Sequence, residues 1–184
     1  MSNFWSMKST EPKRKFRWLV TFNSMPQFIA KSVTKPSITV GNTEHNFLQH
    51  KFNFPGRITW NDVSLVIVDP VQPDAAVSLY NIIASSGYVL PPEVTQGPEG
   101  MKTISKERMV ESIGSTITID QIGKDGSDEI LEQWTLHNPL ITNVTFDGLD
   151  YTSDELLNIT IGLKYDWATL NETAGPLPTT GWTS

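Results

Sequence analysis

The sequence predicts a mainly β protein: one antiparallel β domain with a helix packed on it. Three observations lead there. Leu157, Ile159, Ile161, Leu163, Tyr165 and Trp167 alternate with Asn158, Thr160, Gly162, Lys164 and Asp166. A period of two over eleven residues keeps its apolar set together only in an extended strand with one dry and one wet face. Such half-wet strands favour antiparallel pairing over a parallel sheet covered on both sides. Second, Lys124-Asp125-Gly126-Ser127 stands between two extended runs, with the Asp-Gly pair that hairpin turns select. Third, 12 Gly and 12 Pro in 184 residues, with no cysteine, describe a turn-rich chain without a disulfide framework. That length suits one domain with a single core.

The elements follow in order. Residues 1–15 read as a basic arm ending in Lys13-Arg14-Lys15. Phe16, Trp18, Val20 and Phe22 alternate with polar neighbours as a first strand, which calls on Phe16 and Trp18 for its core. A turn at Asn23-Ser24-Met25-Pro26 leads to a second strand near Gln27–Val33, and Ile38-Thr39-Val40 is a short extended piece ended by Gly41. Residues 42–57 lack a clean period, with Pro55-Gly56 marking a turn, and read as a long excursion that returns at Ile58-Thr59-Trp60. The apolar run Val63–Val68 predicts a central strand.

The helix is placed at 73–86. Pro73 suits its first position, Asp74 complements the dipole, and Ala76, Leu79, Tyr80 and Ile83 recur at helical spacing. Gly87 stands where a left-handed residue closes a helix. Residues 88–100 form a Pro/Gly-rich loop, and 101–113 are open between helix and irregular chain, with Ile104, Met109, Val110 and Ile113 available for a helix face. Thr116–Ile122 and Ile130–Leu136 form the hairpin, and Ile141–Phe146 leads into the closing strand. Residues 168–184 read as a flexible C-terminal tail.

The side chains offer little chemistry. His45, His50 and His137 match no metal spacing, and Asp125–Glu129 lacks the distal Glu of a calcium loop. Asp147, Asp150, Asp154 and Glu155 suit a turn better than paired catalytic carboxylates. No glycine-rich loop precedes a helix, so phosphate cradling has no support. No catalytic, cofactor or metal site is assigned, and an enzyme is not expected. The opening residues lack a signal peptide's apolar run. No stretch reaches the roughly 18 apolar residues of a membrane span. Charge is uneven: residues 1–60 hold nine Lys/Arg and two Asp/Glu, whereas 61–184 hold five and eighteen. One reading is solvated faces with a basic arm; the sharper one is head-to-tail association, basic surface against acidic surface.

Several segments resemble, in order, the tail tube proteins of T4-like contractile-tailed bacteriophages. Leu156–Trp167 is similar to that family's terminal strand. Val40-Gly41, Lys51 and Pro55–Val63 resemble its long hairpin and following strand, and Asp69-Pro70 with the helix from Pro73 falls where the family has its outer helix. The resemblance spans residues 16–167. It implies a barrel-like domain of two packed antiparallel sheets, shared with type VI secretion tubes, with an inter-ring excursion at 42–57. Six copies would join edge to edge into rings, and rings would stack into a tube. Partners would be further copies, a tail sheath protein, and baseplate or tail-terminator proteins. Genomic DNA would pass through the lumen without specific binding, in a virion tail assembled in a host cytoplasm.

Under that resemblance His45, Phe47, Lys51, Phe54 and Arg57 are candidates for contact between rings. Thr116, Thr118 and Asp120, with Asn158, Thr160, Lys164 and Asp166, are candidates for the lumen wall, and Asp166 is the expected partner of Lys164. Alternatives are a baseplate tube initiator and, in another class, a carbohydrate- or nucleic-acid-binding β domain. The last would want clustered exposed aromatics, whereas Trp5, Trp18, Trp60, Trp134, Trp167 and Trp182 are scattered.

Overall fold

The computed structural model describes residues 12–22, 25–91, 102–124 and 126–171. The expected turn at Asn23-Ser24, most of the 88–100 loop, Asp125 of the hairpin turn, most of the N-terminal arm and the chain beyond Asn171 lie outside them.

Two four-stranded antiparallel sheets share one core. The strands are β1 (Trp18–Thr21), β2 (Ala30–Val33), β3 (Ile38–Phe47), β4 (His50–Trp60), β5 (Val63–Val68), β6 (Thr116–Gly123), β7 (Gly126–His137), β8 (Leu140–Phe146), β9 (Asn158–Lys164) and β10 (Trp167–Asn171). The first sheet runs β1-β6-β7-β10 and the second β2-β5-β9-β8, while among the described residues β3 and β4 pair only with each other. The chain is thus mainly β with packed antiparallel sheets. Val20, Ile117, Ile119 and Leu136 from the first sheet meet Leu65, Ile67, Ile159, Ile161 and Leu163 from the second in a single buried cluster. Fully burying a side chain of this size contributes about 1.5–3 kcal/mol.

Two helices, not one, join that core. Helix α1 (Ala75–Ser85) is capped by Asp74, whose carboxylate accepts from the Val77 N–H at 2.9 Å, so Pro73 stands before the cap and not at the first helical position. Its buried face is Ala75, Leu79 and Ile82, whereas Tyr80 is exposed. The inward stripe is therefore rotated from the expected Ala76–Leu79–Tyr80–Ile83. Gly87 closes the helix at φ +108°, as expected. Helix α2 (Lys106–Ile113) resolves the ambiguous 101–113 stretch: Ser105 caps it, Met109 and Ile113 are buried, and Ile104 stays outside.

Three further expectations are corrected. Phe16 is 76 % exposed, because β1 begins only at Trp18 and Arg17 lies over the Phe16 ring at 5.5 Å. Gln27–Ile29 is a 3₁₀ turn, and the second strand starts after it. The closing strand is two strands. It breaks at Tyr165-Asp166, where the chain turns a corner from the second sheet to the first, and Trp167 with residues 168–171, the latter expected in a tail, forms edge strand β10 against β7. The Asp166 N–H bonds the His137 carbonyl at 3.1 Å, and the Trp167 ring stacks on His137 at 5.0 Å to hold the corner.

Candidate functional site

The excursion is a long β-ribbon that, among the described residues, joins neither four-stranded sheet. Every residue of β3 and β4 except Trp60 is exposed. The turn lies at Leu48-Gln49, with Leu48 at φ +53°, and not at Pro55-Gly56, which is paired within β4. Between Val40 and Asn42 the register shifts, so that Gly56 and Arg57 together oppose Gly41. The backbones approach closely there. A Cβ on Gly56 would stand 3.2 Å from the Gly41 carbonyl oxygen, and one on Gly41 would stand 3.3 Å from that of Arg57.

Directly paired residues share a face, so the register assigns the ribbon's two sides. Near the base, Ile38, Val40, Ile58 and Trp60 lie on one side. Beyond the bulge that side becomes Asn42, Glu44, Asn46, Lys51 and Asn53, with Lys51 and Glu44 paired at 2.6 Å and Asn42 bonded to Asn53 at 3.1 Å. The opposite side of the outer half carries His45, Phe47, His50, Phe52 and Phe54. Of the expected inter-ring residues, His45, Phe47 and Phe54 share this aromatic side, Arg57 stands at the bulge, and Lys51 faces the other way. Phe52 and His50 were missed, although Thr43-His45-Phe47 and His50-Phe52-Phe54 each hold a period of two. The parity change in β3, from Ile38 and Val40 to His45 and Phe47, conceals it, and the bulge in β4 keeps the two strands matched.

The expected lumen residues fall into two groups that look away from each other. Thr116, Thr118 and Asp120 lie on the wet face of the first sheet, opposite Ile117, Ile119 and Gln121. Asn158, Thr160 and Lys164 lie on the wet face of the second, opposite Ile159, Ile161 and Leu163. Their dry faces meet in one core, so a single channel can take only one set. Asp166 belongs to neither. It sits at the corner after β9, and both its oxygens take Lys106 Nζ at 2.7 Å while Asn138 Nδ2 donates at 2.9 Å. The Lys106 and Asn138 hydrogen bonds hold its carboxyl below the usual range. The expected Lys164 pairing does not form, because the corner turns Asp166 toward helix α2.

The edges β1 and β2 frame a cleft of about 440 Å³ whose lining includes Lys15, Trp18, Lys31, Lys35, Asp120 and Gln121. Gln121 is buried and donates to the Arg14 and Arg17 carbonyls, Arg14 at 2.8 Å, which fixes the basic arm along β1. Glu132 takes Lys13 Nζ, Lys35 Nζ at 2.7 Å and Trp134 Nε1 at 2.6 Å. Burial alone would raise its carboxyl, but the three hydrogen bonds and the Lys35 charge together bring it down to about 2.

Among the described residues no three His, Asp or Glu side chains group as metal ligands, and no helix is long and apolar enough to cross a membrane. No protein-family model matches the sequence, and no curated protein does. Solved structures do match in fold. A chain from the sheath–tube complex of an extracellular contractile injection system (PVC), in its extended state, aligns at TM-score 0.63 and 20 % identity, covering 88 % of this chain and 93 % of that one. A chain from the tube-terminating cap of the anti-feeding prophage (AFP) aligns at 0.62 and 20 %, covering 88 % and 91 %. A chain from the PVC sheath/tube terminator aligns at 0.63 and 20 %, covering 87 % and 96 %. The chain shares the two-sheet fold of these contractile-injection-system components.

Proposed function

We propose that the chain is a structural, non-enzymatic subunit of the inner tube of a contractile phage-like tail. Copies join edge to edge into hexameric rings, and rings stack into a channel that passes DNA when the tail fires. The observation that carries this reading is the β3–β4 ribbon. An isolated two-stranded ribbon is marginal in water. This one extends Phe47, Phe52 and Phe54, each about half exposed or more (60 %, 49 % and 54 %), away from the core. A surface of that kind calls for a partner, and a neighbouring ring supplies one at a fixed distance along the axis. The fold shared with injection-system chains and the resemblance to phage tube proteins both support it.

The second sheet is the better candidate for the channel wall. Its neighbours β2 and β5 continue into the ribbon through Thr34–Ser37 and Asn61-Asp62, so the wall and the inter-ring element form one unit. Its wet face carries Ser64, Asn143, Thr145, Asn158 and Thr160, small polar groups, together with Lys164 and with Lys31 held on Asn158 Oδ1 at 3.0 Å. Six copies would carry six times −6, or −36, in formal charge, a field that repels duplex DNA. The opposite wet face, with Thr116 and Thr118, then looks outward toward a sheath. Sheath, baseplate and tail-terminator proteins are the implied partners, in a virion assembled in a host cytoplasm.

Negative-stain microscopy with light scattering tests the reading. The intact protein should form rings and long tubes as concentration rises. Replacing Asn42–Arg57 with Asn-Gly should leave folded rings or monomers and no long tubes. A strict monomer at all concentrations would sink the reading, and normal tubes from the shortened chain would remove the ribbon as the stacking element. A tube-end role, as initiator or terminator, is the second reading, favoured by the equal fold likeness to the two terminator chains. An end protein would stop at single rings where a main subunit polymerises.

A further inference from the structure

The second sheet is electrically lopsided at one end. Its strands run antiparallel in the order β2-β5-β9-β8, so the start of β2, the end of β5, the start of β9 and the end of β8 lie side by side. At the β2 side of this end stands Lys31, donating to Asn158 Oδ1 at 3.0 Å; Asn158 Nδ2 in turn donates to Asp147 Oδ2 at 3.1 Å. Beyond Lys31, the cleft between β1 and β2 holds Lys15, Asp120 and Lys35, the last paired with Glu132 at 2.7 Å, with Trp18 in its wall and Phe16 on the adjoining surface. Lys15 has no ion pair among the described residues.

At the β8 side the chain leaves Phe146 into residues 147–157. This segment holds Asp147, Asp150, Asp154 and Glu155, no Lys or Arg, and four exposed apolar side chains: Leu149, Tyr151, Leu156 and Leu157. All of 147–157 is exposed, yet its backbone is shaped, with Asp150 Oδ1 accepting from the Thr152 N–H and hydroxyl at 2.9 Å each. Those bonds hold the Asp150 carboxyl below its ordinary value, so it stays charged. An acidic and apolar segment sits at one edge of the sheet, and Lys15 and Lys31 stand beside Trp18 at the other.

We propose that segment 147–157 of one copy docks on the β1–β2 cleft of the next copy around the ring, with β8 pairing antiparallel to β2. The inference rests on the ring-forming reading above and names the contact that closes the ring. Strand direction supports it. Placing β8 of one copy antiparallel beside β2 of the next puts the end of β8 against Ala30-Lys31, so the residues after Phe146 emerge at the cleft. Both edges are unpaired among the described residues, and pairing them removes open edges that invite disordered association. Because the two surfaces differ, the contact is head-to-tail, the kind that closes into a ring. Asp154 and Glu155 would meet Lys15 and Lys31, while Leu149 and Tyr151 would cover Trp18 and Phe16.

A charge swap tests this, read by ring mass in light scattering and by microscopy. Lys15→Glu with Lys31→Glu, or Asp154→Lys with Glu155→Lys, should each raise the concentration needed for rings at least about tenfold, as like-charge contact is strongly disfavoured. Carrying all four changes in one chain should restore most of that loss, which a folding defect would not do. The chain has no cysteine, so Lys31→Cys with Asp154→Cys should give an intermolecular disulfide ladder on oxidation that neither single variant gives. Rings in the intact protein that neither reversal weakens, or a missing ladder, overturn the docking alone; no rings in the intact protein overturn the tube reading itself. Reversals that spare rings but shorten tubes would assign 147–157 to stacking on the ribbon. A cleft variant that keeps its rings but loses salt-sensitive duplex DNA binding would make the cleft a polyanion site. Either result refutes the proposal.

Discussion

Gly87 shows how much a single position decides. Its φ of +108° is open to glycine, and a Cβ there would stand 2.4 Å from the Thr103 carbonyl oxygen. Backbone cannot yield as a side-chain tip can, so Gly87→Ala should lower unfolding stability by about 2–3 kcal/mol in denaturant titration; a loss below about 0.5 kcal/mol would mean the loop relaxes freely. Glu132 makes a different prediction. Its folded carboxyl lies at about 2 against an ordinary 4.5, so the stability it contributes is complete above pH 4.5 and is lost as pH falls from there toward 2. Glu132→Gln should flatten that acid limb, read from thermal melts between those values, and an unchanged limb would show that Lys13 and Lys35 do not hold it. Asp74 reads in the sequence as a first-turn charge and proves to be the cap, and Gly56 reads as a turn and proves to lie within a strand, whereas Gly87 is legible because its signal is local. The partners of Glu132 and Asp166 are not: Lys13, Lys35 and Lys106 lie 119, 97 and 60 residues away, and only the packed sheets bring them near.

At the level of elements, period-two alternation revealed the strands but not where they bend. Tyr165 and Trp167 continue the apolar register of β9, so nothing in the pattern announces the corner at Asp166; the core on one side and the His137 ring on the other both accept an aromatic there. The ribbon failed to read as strand for the opposite reason. Its outer half alternates cleanly, but in β3 the apolar positions change parity between Val40 and His45, and the Gly56-Arg57 bulge in β4 carries the matching set to the other side. The bulge gives a third prediction. Gly56→Val would press a branched side chain onto the Gly41 carbonyl region, where even a Cβ stands 3.1–3.2 Å away, and would re-aim the aromatic tip. Since β3 and β4 bury almost nothing, the melting temperature should hold within a few degrees while tubes shorten or vanish. Normal tubes would show that the aim of the tip is immaterial to stacking.

For the whole molecule, the question is which sheet forms the wall of the assembled channel. Alternation says which residues share a face, and the shared core adds that the two wet faces point in opposite directions. Neither says which is inward, because that depends on copies the chain has yet to meet. The link from β2 and β5 into the ribbon favours the second sheet, and the polarised edges of that same sheet give it the means to close. A cysteine at Thr160 in assembled tubes should therefore react with a small thiol reagent but resist one too bulky for the channel. A cysteine at Thr118, on the opposite face, should react with both in bare tubes and become protected once a sheath covers them. Both threonines are half-buried positions on strand faces with no part in the core, so the substitutions leave folding aside. The reverse pattern, Thr118→Cys shielded and Thr160→Cys open to the bulky reagent, would place the first sheet inward and move the ring contact from the β2 and β8 edges to β1 and β10.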